Sequence, residues 1–149
     1  MAMPILPQDF RDFLKLLNSK KIKYLLIGGY AVGYYGYPRA TADMDIWIAV
    51  NKENAKKMIQ VINDFGMNTP ELTESIFLEP GKMIRMGYPP IRIEIVTEVS
   101  GIKFAQCYPR RKKVKIDGVK VKIISRDDLL KNKKASGRHK DLDDLENLK

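Results

Sequence analysis

Two aspartates one residue apart, Asp43 and Asp45, sit among apolar neighbours in DMDIWIAV. Upstream, the apolar run YLLI ends in a glycine pair, Gly28-Gly29. Side chains at i and i+2 of a strand point to one face, about 7 Å apart. Carboxylates at that spacing repel each other, and bound cations relieve the repulsion. A glycine turn lets backbone N–H groups approach a phosphate. Residues 24–50 therefore point to metal-dependent phosphate chemistry.

These residues need elements to hold them. Phe10, Phe13, Leu14, Leu16 and Leu17 recur at helical spacing over 8–20, and residues 23–27 read as a short buried strand. A helix opened by the glycines is expected from Gly28 to about Gly36, closed before Pro38, with a strand over Asp43–Val50. Lys52–Phe65 has a helical pattern that stops at Gly66. Thr73–Leu78 reads as a short helix and Glu79-Pro80-Gly81 as a turn. Strands are expected at Met83–Tyr88 and Ile91–Val96, joined through Pro89-Pro90, with Arg92, Glu94 and Val96 on one face of the second. Gly101–Cys107 reads as helical, and Val114–Ile124 as a hairpin turning at Asp117-Gly118. Ser125 has the position of an N-cap with Asp128 three residues on, opening a helix that breaks at Gly137, before a last helix over Asp141–Leu148. The order predicts an α+β (α/β layered) single domain over residues 1–149: a mixed β-sheet with helices packed on it and a C-terminal helical segment.

The 149 residues suffice for one core without disulfides. Cys107 and His139 are the only residues of their kinds, which excludes an internal disulfide and a His/Cys zinc site. No apolar run approaches the roughly 20 residues that span a bilayer, and the first residues lack the pattern of a signal peptide, so a cytoplasmic protein with no membrane partner is expected. The net charge of +9 is unevenly placed: residues 1–102 carry 12 basic and 11 acidic side chains, residues 103–140 carry 14 and 3, and the last nine carry 1 and 4. The basic block is either a solvated, self-repelling face or a patch for nucleotide phosphates or a polyanion such as RNA.

Gly28-Gly29, thirteen residues, then Asp43-Met44-Asp45-Ile46 resembles the signature of the DNA polymerase β-like nucleotidyltransferase superfamily, with a spacer near the long end of its range. The segment DLLKNKKASGRHKDLDDL resembles the closing motif of small members related to abortive-infection toxins, at Asp128, Lys133, Arg138, Lys140, Asp141 and Asp144. The two matches span residues 24–145. The resemblance implies the nucleotidyltransferase fold and transfer of a nucleoside monophosphate from a nucleoside triphosphate, with ATP expected, to a hydroxyl acceptor. It also implies a third carboxylate on a neighbouring strand, for which Glu94 is the candidate, although many small members carry Asp there.

The chemistry agrees with that implication. Two Mg²⁺ ions about 3.5–4 Å apart stabilise the attacking and leaving oxygens of an in-line displacement, and Mg²⁺ takes oxygen ligands. Asp43, Asp45 and Glu94 are the expected catalytic residues and metal ligands. Gly28, Gly29, Arg39, Lys133, Arg138 and Lys140 are the expected nucleotide and phosphate contacts. Alternatives stand beside these assignments. Glu94 could instead pair with Arg85 or Arg92, and Arg138, Lys140, Asp141 and Asp144 could form an internal ion-pair network. Tyr30, Tyr34, Tyr35 and Tyr37 could stack on a base or pack internally, and Thr41 could end a strand or orient a carboxylate. The acceptor would be tRNA or another RNA end, a protein in a toxin–antitoxin pair, or a small hydroxylated molecule, and the chain a monomer or homodimer. The competing readings are a catalytically weak nucleotide- or partner-binding module of toxin–antitoxin type, and RNA binding without nucleotide chemistry.

Overall fold

A computed structural model describes residues 6–38, 41–67, 69–87 and 91–148. Its helices are α1 (Gln8–Ser19), α2 (Gly28–Tyr34), α3 (Lys52–Phe65), α4 (Phe104–Cys107), α5 (Arg126–Ser136) and α6 (His139–Leu148). Its strands are β1 (Tyr24–Ile27), β2 (Asp43–Ile48), β3 (Met83–Met86), β4 (Arg92–Val96), β5 (Lys112–Ile116) and β6 (Val119–Ile123). The strands form one mixed sheet in the order β3-β4-β2-β1-β6-β5. β2 runs antiparallel to β1 and parallel to β4, while β1 runs parallel to β6. The central strands are apolar because both their faces are covered: every residue of β1 is buried, as are Met44, Ile46, Trp47 and Ile48 of β2.

Local chemistry sets the element ends. The Asn51 side chain accepts a hydrogen bond from the Asn54 N–H, and Ser125 accepts from that of Asp128, N-caps of a kind worth about 1 kcal/mol each. Gly66 and Gly137 close α3 and α5 in the left-handed conformation. Asp117 and Gly118 both have positive φ, 49° and 80°, as a two-residue type I′ hairpin turn requires.

Several expected boundaries shift. The expected helix over Gly101–Cys107 shrinks to α4, because a turn around Gly101 (φ 79°) bridges Val99 to Ile102 first. Thr73–Leu78 becomes a 3₁₀ turn over Glu74–Leu78. α6 begins at His139, two residues ahead of the expected start, because the Asp141 carboxylate accepts from the Arg138 backbone N–H and so caps the earlier turn. The Pro89-Pro90 connection lies outside the described residues.

α1 and α3 meet through Phe13 and Phe65, edge to face at 5.1 Å. Trp47 shares Asp45's face of β2 by alternation, and Phe104 of α4 meets it edge-on at 5.2 Å. Apolar packing therefore continues on that face up to the aspartates and gives way there to a polar cavity. No helix among the described residues is long and apolar enough to cross a membrane.

Candidate functional site

The site is built on register. β2 and β4 run side by side with Asp43 opposite Arg92 and Asp45 opposite Glu94, and β3 sets Arg85 opposite Glu94. One face of three adjacent strands thus gathers three carboxylates and two guanidinium groups. Arg85 Nε donates to Glu94 Oε1 at 2.9 Å, and Arg92 Nε to Asp43 Oδ1 at 3.3 Å. Of the two partners expected for Glu94, Arg85 takes it, whereas Arg92 pairs with Asp43 instead. The Arg92–Asp43 pair has no signal in local spacing, because it depends on β2 lying beside β4. The across-strand position of Arg85 needs the sheet order.

Gly28 opens α2 with φ 69°, directly against Asp45. A Cβ at Gly28 would lie 2.0 Å from Asp45 Oδ2, so any side chain there displaces the carboxylate. A Cβ at Gly29 would lie 2.7 Å from Thr41 Oγ1. The glycine pair thus brings backbone onto the aspartate strand. Thr41 donates its hydroxyl to the Asp43 carbonyl at 3.2 Å, which fixes the start of β2 rather than a carboxylate.

Asp45 is the most perturbed acid. Burial drives its carboxyl up to about 8; a hydrogen bond with Glu94 and the charges of Glu94 and Asp43 add to this, and Lys140 opposes it. In the absence of another cation, burial and the two neighbouring acids favour the protonated form of Asp45. Among the described residues, no three His, Cys, Asp or Glu side chains already converge as a metal cluster. The donor chemistry nonetheless suits a hard divalent cation: all three acids offer oxygen, and Asp45 holds a proton that a cation would replace.

A cavity of about 450 Å³ covers this face. Gly28, Gly29, Asp43, Asp45 and Glu94 border it, and Lys133, Arg138 and Lys140 border it from α5 and α6. Arg39 lies outside the described residues. Asn132 and Ser136 also border the cavity; their i, i+4 spacing on α5, flanking Lys133, is a signal the sequence reading passes over. Met83, Val96, Glu98, Val99 and Ser100 are shared with an adjoining cavity of about 710 Å³. None of the four tyrosines borders the polar cavity. Tyr30 packs edge-on to Phe10, Tyr35 donates to the Ile124 carbonyl, and Tyr37 donates to Asp143.

The basic wall has two layers. Lys133 is buried, and its ammonium group lies 3.1 Å from both Asp141 Oδ1 and Asp144 Oδ2. Arg138 Nε donates to Asp141 Oδ2 at 2.7 Å, yet its side chain stays 61% exposed. Burial alone would raise the Asp141 carboxyl, but hydrogen bonds from Arg138, Ser136 and Lys133 outweigh it and hold the acid well below the usual range. The internal network therefore exists, through Lys133 and Arg138, and stands behind the cavity wall. Lys140 is exposed, and its charge reaches Asp45. Asp128 belongs to a separate pair, holding Arg110 through both carboxylate oxygens at 3.1 and 2.9 Å.

Residues 7–149 match the model of a family described as nucleotidyl transferases of unknown function. No curated protein matches the sequence. Among solved structures, the fold is similar to a candidate nucleotidyltransferase from Thermotoga maritima, with TM-score 0.62, 14% identity, and coverage of 92% of this chain and 88% of that one. It is also similar to an antigenic nucleotidyltransferase-like protein from Paracoccidioides brasiliensis, with TM-score 0.56, 19% identity, and coverage of 93% and 72%.

Proposed function

The chain belongs to the DUF2204 family of nucleotidyl transferases of unknown function, and on that premise we propose that it transfers a nucleoside monophosphate from a triphosphate, ATP foremost, to a hydroxyl acceptor. The observation that carries the reading is the register of Asp45 against Glu94, with Gly28 packed on the Asp45 carboxylate.

Asp43, Asp45 and Glu94 would hold two Mg²⁺ ions, which when bound would polarise the α-phosphate and lower the pKa of the acceptor hydroxyl. For that, the Asp45 carboxyl gives up its proton, and Asp43 and Glu94 exchange their arginine partners for cations. Arg92 and Arg85 are then released beside the cavity, where guanidinium groups suit phosphate oxygens. The backbone at Gly28 and Gly29 orients the β- and γ-phosphates. Arg138 and Lys140 neutralise them from the opposite wall, and Arg39, outside the described residues, is proposed as a further phosphate contact. Lys133 lies under that wall and sets the angle of α6 through Asp141 and Asp144. The acceptor, an RNA end, a protein or a small hydroxylated molecule, enters through the adjoining cavity past Met83 and Ser100.

The experiment mixes purified protein with Mg²⁺, each labelled triphosphate, and total RNA or lysate protein. Label transfer that falls at least a hundredfold in Asp43→Asn and Asp45→Asn supports the enzyme. The two carboxylate–arginine pairs also favour a second reading, a binding module of toxin–antitoxin type whose acids stay neutralised. That reading requires nucleotide binding without label transfer.

A further inference from the structure

The hairpin of β5 and β6 sets Lys113 opposite Lys122 and Lys115 opposite Lys120. Alternation puts these four lysines on one face of the hairpin. Lys21, in the turn after α1 with φ 56°, stands beside them, and together with Asn18 they line a cavity of about 510 Å³. No acid borders that cavity. Among the described residues, no carboxylate pairs with Lys21, Lys113, Lys115 or Lys120, and all four are exposed.

Like charges directly opposite each other destabilise a strand pair, and here two such pairs follow in succession. Protection of a sheet edge accounts for lysines on β5, which is an edge strand. It does not account for Lys120 and Lys122, because β6 lies inside the sheet between β1 and β5. Lys122 has internal partners, donating to the Ile22 carbonyl at 2.9 Å and the Tyr108 hydroxyl at 3.1 Å. Lys120 is left with neither account, at the centre of a positive face that no acid of the cavity offsets.

The surroundings narrow what partner such a face takes. Among the described residues, the exposed large apolar side chains are Val50, Met83, Ile91 and Leu142, and none is on the hairpin. Val114 and Val121 also line the cavity, but they are half-buried and buried, so what the surface exposes is lysine rather than an apolar face. It offers a grid of positive charge, with steps of about 5 Å across the strands and about 7 Å along them. We propose that this hairpin face binds the sugar–phosphate backbone of a polynucleotide, without reading sequence and without depending on nucleotidyl transfer.

The test is fluorescence anisotropy of the full chain with labelled single-stranded RNA, duplex RNA and duplex DNA of one sequence, from 50 to 300 mM KCl. At least one of the three should bind at low salt, with log affinity falling against log salt at a slope of about −2 to −4, and the three arms identify which polynucleotide is held. The triple variant Lys113→Gln, Lys115→Gln, Lys120→Gln should lose at least tenfold in affinity while melting roughly 2 °C or more above the parent, since like-charge repulsion is removed. The corresponding triple change to Arg should restore binding. Weaker binding in a more stable protein separates loss of a surface from loss of a fold. Absence of binding to all three at 50 mM KCl, unchanged affinity in the Gln variant, or binding only to anionic lipid vesicles overturns the proposal. Nucleotide binding measured on the same Gln variant should be unchanged, so failure here is distinct from failure of the transferase reading.

Discussion

Asp45 shows most clearly how a residue can be suited to a ligand at the expense of the fold. Burial and the neighbouring acids push its carboxyl from the ordinary value of 3.8 up to about 8 in the folded chain. Between those values the folded chain binds more protons than the unfolded one, so this group's contribution to stability declines as pH rises from about 4 to 8. Asp45→Asn removes the ionisable group. In protein stripped of divalent cations, thermal melts should show the variant gaining several degrees on the parent at pH 8 and little at pH 5. The two aspartates and the glycine pair were legible because each carries its chemistry in its own type and spacing. The arginine on Glu94 was legible only as one of two alternatives and the one on Asp43 not at all, because which arginine meets which acid depends on which strands are neighbours.

At the scale of elements, α5 and α6 are joined by charge where α1 and α3 are joined by apolar packing. Lys133, Asp141 and Asp144 are all buried. Lys133→Ala leaves two acids without their ammonium partner and should destabilise the protein by about 3–5 kcal/mol in urea unfolding. Replacing the triad together, Lys133→Met with Asp141→Asn and Asp144→Asn, should recover much of that loss, because no charge is then left buried without its partner. Helix and strand positions were legible wherever a cap or turn residue marks them, as at Asn51, Gly66, Ser125 and Gly137. They were misread where the side chain that sets the boundary follows it inside the helix, as Asp141 does for α6, or where a tight turn comes first, as at Gly101. The layered α+β class was legible from the order of elements. The β3-β4-β2-β1-β6-β5 order was not, since it depends on contacts between residues far apart in sequence.

For the whole molecule, cation and nucleotide should act as one ligand. The cavity presents acids on its sheet side and bases on its helix side, so a bare triphosphate meets repulsion from the first and a bare cation repulsion from the second. Mg²⁺ with a non-hydrolysable triphosphate at about 100 times its Kd should stabilise the fold by about 2.7 kcal/mol. That corresponds to a rise in Tm of roughly 5–10 °C by differential scanning fluorimetry. Each component alone at the same concentration should give less than half that shift.

The sheet order also has a consequence in time. β2 and β4 deliver all three carboxylates by Glu94, whereas Lys133 follows thirty-nine residues later and Lys140 seven after that. β6, which flanks β1, is synthesised in that interval. At a translation rate of about 5–20 residues per second, the acidic half of the cavity precedes its basic half by roughly two to nine seconds. A chain still on the ribosome therefore holds the acids without the wall opposite them, and the cavity closes only when α5 and α6 dock.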